Sequence, residues 1–207
     1  MELVGRPHRP LLWVVRHGES TWNAIGRMQR EVAHPPLTAR GTTQAYAAGY
    51  TLRNRQIDRI VCSDAVRAVQ TAHAMATVLG VETTVDPRLR ERGWRHTGTL
   101  ADANSTAPPR LEDPTERVRS ALLDVAAMDG STAVVTHGDI VCAILDLLRA
   151  RDASTRQWRT GTDVPNGAVV GVGSPLNVLS ALSSLRHPGR RPVARARLRR
   201  DSRTWRE

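Results

Sequence analysis

Short apolar, β-branched runs alternate along this chain with longer stretches in which apolar residues return every three or four positions. The runs are LLWVV (11–15), RIVC (59–62), VETTV (81–85), TAVVT (132–136) and AVVGV (168–172). Strands separated by helical stretches predict an α/β fold, a three-layer sandwich whose mostly parallel central sheet is flanked by helices. Thr38 can cap a helix running through GTTQAYAAGYTLRN, and a second is expected from Ser63 or Asp64 to about Val78. After Pro114, Val118, Ala121, Leu122 and Val125 fall at i, i+3, i+4 and i+7 and face one way. A fourth helix is expected after His137, through DIVCAILDLLRA. Between the third strand and the third helix the sequence is rich in Pro, Gly and small polar residues, which predicts a small irregular lid at about 86–113 rather than a sheet element.

Composition narrows the classes. A chain of 207 residues suits one domain with a substantial core, expected over 1–185, followed by an Arg-rich tail, 186–207, expected to be flexible. No apolar run approaches the roughly 18 residues of a membrane span, and PLLWVV is too short for a signal-peptide core, so a soluble, cytoplasmic protein without a membrane partner is expected. Cys62 and Cys142 form neither a disulfide framework nor a C-x-x-C pair. All 30 basic residues are arginine and phenylalanine is absent, which marks a compositional bias. Of the net charge of +10, the tail holds +7 (nine arginines against Asp201 and Glu207), leaving only +3 for the body. Nucleic acid is therefore not an expected partner, although a nucleic-acid or phosphate-binding module using the tail is the alternative from another functional class. No histidine pair has zinc-site spacing, and GVGSP lacks the third glycine of a dinucleotide loop, so neither metal nor cofactor is expected. A homodimer is left open.

Ligands of open α/β sheets bind beyond the carboxyl ends of the strands. The first strand ends in Arg16-His17-Gly18 and the TAVVT strand in Thr136-His137-Gly138, which aims two histidines at one crevice. The second strand ends in Cys62-Ser63-Asp64 and puts Arg67 on the first turn of the next helix; the third is soon followed by Glu91 in LRERGW. This set suits phosphoryl transfer. Guanidinium forks neutralise a phosphate dianion, and glycines allow backbone N–H groups to approach it. A neutral imidazole can attack phosphorus, a second protonated imidazole can stabilise the equatorial oxygens, and a carboxylic acid can protonate the leaving alkoxide.

VVRHGESTWN, LTARGTTQA, CSDAVRAVQTA, LRERGW and VVTHGD, in that order over roughly residues 11–172, resemble the histidine phosphatase superfamily of phosphoglycerate-mutase-like enzymes. The resemblance implies that His17 is transiently phosphorylated, that Arg16, Arg67 and His137 bind the phosphoryl group with Asn23 and Gly138, and that Glu91 is the proton donor. Leu37, Thr38 and Gly41 match the segment that shapes the helix after the catalytic loop, and Asn166 and Gly167 match a late strand entry. The match has two departures: GWRHTGTL lacks a second Glu found in the family, and RLEDPTERV is shortened, so His96 or Asp102 are candidates to share or replace the role of Glu91. The short lid favours the phosphatase branch, a phosphomonoesterase of the histidine acid phosphatase type needing no metal and acting on a small phosphorylated metabolite. A phosphoglycerate or phosphosugar mutase using the same phosphohistidine is the alternative. Arg90, Arg92, Arg95 and Trp94 near the lid hint at an acidic or sugar phosphate.

Overall fold

The computed structural model describes residues 11–95, 110–148, 164–174, 177, 178 and 180. The lid centre, including His96 and Asp102, and the Arg-rich tail lie outside the described residues. Five strands make one sheet: β1 (Leu12–Arg16), β2 (Ile57–Cys62), β3 (Glu82–Val85), β6 (Ser131–Thr136) and β7 (Val169–Gly173), in the order β3-β2-β6-β1-β7. The first four are mutually parallel where they pair, and β7 runs antiparallel to β1 at the edge. The mostly parallel α/β sandwich expected from the sequence is the observed fold.

Side-chain alternation explains the layering. In β1, Val14 packs to one face and Val15 to the other; in β6, Val134 opposes Ala133 and Val135; in β2, Val61 opposes Ile60 and Cys62. One face is covered by α4 (Thr115–Ala127) and α5 (Gly138–Leu148), through Val118, Leu122, Ile140 and Ile144. The other is covered by α2 (Ala39–Leu52) and α3 (Val66–Leu79), through Ala48, Leu52, Ala68, Ala72 and Met75. Covered on both sides, β6 is buried at all six positions, as a central parallel strand must be. Each of the buried valine, leucine, isoleucine and methionine side chains contributes roughly 1.5–3 kcal/mol relative to exposure, and each alanine less.

Helix starts follow local chemistry. Thr38 Oγ1 accepts from Gly41 N at 2.9 Å and caps α2, as expected. The start of α3 is later than Ser63 or Asp64: Ala65 is its N-cap, with no side-chain cap bond. Both residues expected at its start precede it, Ser63 Oγ meeting His137 Nε2 and accepting from Ala65 N at 3.3 Å, and Asp64 accepting from Arg90. The lid region also departs slightly from the expected irregular path, because β4 (Trp94–Arg95) pairs antiparallel with β5 (Arg110–Leu111). A four-residue helix, α1 (Thr21–Ala24), follows the first strand and is closed by a capping box between Ser20 and Asn23. Among the described residues no helix is long and apolar enough to cross a membrane.

Candidate active site

Register brings the three strand ends level. Arg16 pairs with Thr136 and Cys62 with Val135, and the ladder continues one residue further, His17 N donating to Thr136 O (2.9 Å) and Ser63 N to Val135 O (3.0 Å). His17, Ser63 and His137 therefore leave the sheet side by side. The two imidazole centroids are 5.1 Å apart and both rings are buried.

The loop carrying His17 is held by backbone contacts that only glycine permits. A Cβ on Gly18 would lie 2.2 Å from Gly41 O, and one on Gly41 would lie 2.0 Å from Glu19 O. Gly18 thus lets the loop pack on the start of α2, and its N–H donates to Thr71 Oγ1 at 3.1 Å rather than standing open for a phosphate. From the far side, Gly167 N donates to the carbonyls of Arg16 and His17 (3.1 Å each), at a positive φ of 76°. Asn166 Nδ2 donates to His17 O at 3.2 Å and to Asn23 Oδ1 at 3.3 Å.

Arg67 ties the site together from the first turn of α3, where it is fully buried. Its Nε donates to His17 Nε2 (3.3 Å), Nη1 to Val32 O (2.9 Å), and Nη2 to Gln29 O (3.4 Å) and His137 Nδ1 (3.2 Å). A guanidinium can only donate, so both ring nitrogens it meets carry lone pairs. The protons then sit on the opposite nitrogens: His17 Nδ1 donates to Gly18 O at 2.7 Å, and His137 Nε2 to Ser63 Oγ at 2.9 Å. Burial first, and the Arg67 cation second, depress both histidines, His17 to about 3 and His137 well below its ordinary value. His17 is consequently neutral at physiological pH with its Nε2 lone pair turned to the cation. His137, expected from sequence to be protonated, is also neutral in this unliganded arrangement, because the same cation faces it.

Glu91 lies across from these rings, its Oε2 3.9 Å from His137 Nδ1. Burial pushes its carboxyl up to about 7, with the Asp139 carboxylate adding to the effect and the Arg92 N–H at 3.1 Å, Arg30 and Arg67 opposing it. Such a group gives up a proton near neutrality. Arg16 lines the same space and donates through Nη1 to Val164 O. Asn23 spends its Oδ1 on Ser20 N (3.1 Å) and on Asn166, which leaves its amide N–H groups as donors toward a ligand. Gly138, the first residue of α5, also lines it. Two cavities flank the rings: one of about 550 Å³ contains Arg16, His17, Asn23 and Gly138, the other of about 520 Å³ contains Arg67, Arg90, Arg117 and His137. Glu91 and Arg30 border both.

The structure thus brings together Arg16, His17, Asn23, Arg67, Glu91, His137 and Gly138. It adds Ser63, Arg30 and Asp139, which the sequence reading did not single out. Ser63 had one signal, its place directly after a strand; the Arg30–Asp139 pair, 109 positions apart, had none.

A family model of the histidine phosphatase superfamily (branch 1) matches residues 12–108. A probable phosphoglycerate mutase of Enterobacter sp. (strain 638) is 35% identical over 149 residues, 61% of this chain and 69% of that protein. The chain belongs to the histidine phosphatase superfamily. Among solved superfamily structures, a mycobacterial glucosyl-3-phosphoglycerate phosphatase complexed with VO3 superposes with a TM-score of 0.63 at 27% identity, over 78% of this chain and 90% of that one. A protein described as mycobacterial hydrolase 2 superposes with a TM-score of 0.64 at 28% identity, over 78% and 81% of the two chains. Superfamily membership makes the protein an enzyme of the phosphatase or mutase kind.

Proposed function

We propose that the protein is a phosphomonoester hydrolase that passes the phosphoryl group through His17. The observation that carries this reading is the hydrogen-bond pattern of His17: Nδ1 donates to Gly18 O at 2.7 Å, so Nε2 presents its lone pair beside Arg67, Arg16 and His137. In the first half-reaction Nε2 attacks phosphorus while the bond to the leaving oxygen breaks, and the proton of Glu91 passes to that oxygen, giving an alcohol and phosphohistidine. Arg67 Nε, released from Nε2, donates to a phosphoryl oxygen instead, so the cation moves little. The arriving dianion also raises the proton affinity of His137: as Arg67 Nη2 turns to a phosphoryl oxygen, Nδ1 takes up a proton from solvent with substrate binding, donates a hydrogen bond to the phosphoryl group, and returns the proton to solvent when phosphate leaves. In the second half-reaction Glu91, now a carboxylate, takes a proton from water as its oxygen attacks phosphorus and the P–N bond breaks. Inorganic phosphate leaves and the proton on Glu91 is restored.

Arg16, Arg67 and the Asn23 amide supply the positive field, so the reaction needs no bound cation in this reading. Hydrolysis rather than transfer is supported by the shortened RLEDPTERV segment of the sequence and by the likeness, at 27% identity, to a protein named as a phosphatase. Mutase activity is the second reading, favoured by the name of the 35% identical relative. A panel of phosphomonoesters with EDTA present decides between them. Release of inorganic phosphate from alkyl or sugar phosphates is expected; migration of phosphate between hydroxyls of phosphoglycerate without release would replace hydrolase by mutase.

A further inference from the structure

Arg30 and Asp139 lie outside the phosphoryl-transfer set assigned above, yet they meet across the cleft. Arg30 comes from the loop after α1 and Asp139 from the first turn of α5, and Arg30 Nη1 lies 2.5 Å from Asp139 Oδ2 with side chains only 14% and 5% exposed. A buried ion pair is weak evidence for stability, since its desolvation cost can cancel the attraction. Its location suggests another use. Both residues border the cavity that Glu91 lines. Arg92 joins the two acids, its backbone N–H donating to Glu91 Oε1 at 3.1 Å and its Nη1 lying 3.9 Å from Asp139 Oδ2.

We propose, resting on Glu91 as the proton donor, that Arg30 and Asp139 are positioning residues for its proton: Asp139 holds the proton on Glu91 and Arg30 limits that hold. The charged and titratable groups around Glu91 are Arg16 from β1, His17 just beyond it, Arg30 and Glu31 from the loop, Asp64 and Arg67 at the start of α3, Arg90 and Arg92 from its own segment, Glu112 before α4, His137 from the end of β6 and Asp139 from α5, while Arg117 of α4 donates to the Glu91 carbonyl at 3.2 Å. Asp64 is paired with Arg90 and Glu112 with Arg117, and Asp139 is the acid whose charge acts on Glu91 against the cations. Without its charge, the arginines would favour the Glu91 carboxylate and strip the acid of its proton at neutral pH. Without Arg30, Asp139 would act on Glu91 undamped. The two deletions therefore push Glu91 in opposite directions, which a merely structural role would not do.

The test is the pH profile of kcat/KM for an alkyl phosphate, measured on the full chain and on Asp139→Asn, Arg30→Gln, the double variant and Glu91→Gln. The wild-type profile should fall on the alkaline side above about pH 7, as Glu91 loses its proton. Asp139→Asn should move that fall down by about one pH unit, the rough scale of one like charge in a shared, poorly solvated cavity. Arg30→Gln should move it up, and the double variant should fall between the two single variants. Plateau heights are free to change; the position of the fall is the readout. No movement in either single variant, or movement of both in one direction, overturns the inference, as does loss of the fall in Asp139→Asn alone, which would make Asp139 the donor. Should one single variant not fold, the direction of the other still decides. Persistence of the fall in Glu91→Gln would strike at the proposed mechanism itself.

Discussion

Replacing Arg67 by lysine keeps one positive charge but removes the fork that holds four partners at once. Two of those bonds run to His17 Nε2 and His137 Nδ1, and in the proposed mechanism phosphoryl oxygens replace these two partners; the other two, to Val32 O and Gln29 O, fix the guanidinium in place. A lysine ammonium is a point charge that cannot satisfy this geometry. Loss of one preorganised donor in such a site costs about 3 kcal/mol of transition-state stabilisation, or roughly 10²-fold; loss of both approaches roughly 10⁴-fold. Arg67→Lys should therefore lower kcat by roughly 10²–10⁴ on an alkyl phosphate, with KM changed far less, because the lost contacts form fully only as charge develops. Steady-state kinetics of a variant shown to be folded by circular dichroism measures this directly. A variant within threefold of wild type, or one whose whole loss lies in KM, would refute the placing of Arg67 on the transferring group. Arg67→Ala adds a check on the electrostatics. Removing the cation should raise the His17 titration seen by NMR above its value of about 3, yet leave it below the ordinary histidine range, because burial is the larger cause.

Glu91→Gln should slow alkyl or sugar phosphates by about 10²–10⁴-fold while p-nitrophenyl phosphate, whose leaving group needs no proton, falls much less; equal losses on both would assign Glu91 a structural role. Ser63→Ala removes the acceptor that orients His137 Nε2 and should lower kcat by about tenfold; because it leaves a buried N–H unpaired it should also cost about 1–3 kcal/mol of stability, read by kinetics and denaturant unfolding in parallel. Gly41→Ala forces a methyl against Glu19 O, which must displace the His17 loop; a stability loss of about 1–3 kcal/mol is expected by denaturant unfolding, and an unperturbed variant would contradict the packing described.

The residues legible in the sequence are those whose position follows from a local pattern. Arg16, His17 and His137 end apolar runs, and a parallel sheet places such ends along one edge. Arg67 follows its strand by a fixed short turn, so its reach into the site is a matter of spacing. Glu91 was legible mainly through the family likeness, since between Arg90 and Arg92 it also reads as part of a solvated charge run; burial, which sequence does not display, is what changes its chemistry. Ser63 was misread as part of a helix start because its side chain turns to His137, 74 positions away. The Arg30–Asp139 pair has no local signature, as each residue alone looks like surface charge. The glycines were legible as necessary but not for the right partner: Gly18 approaches the Gly41 backbone instead of a ligand. The antiparallel direction of β7 likewise depends on how the chain returns after α5, not on the composition of the strand.

The most direct test of the central claim is to trap the covalent intermediate. Rapid mixing of the enzyme with a phosphorus-32-labelled phosphomonoester, followed by an alkaline quench and peptide mapping, should place base-stable, acid-labile label on His17 within a single turnover, and His17→Ala should show neither label nor turnover. Turnover without label on His17, or near-normal activity in His17→Ala, would contradict the account.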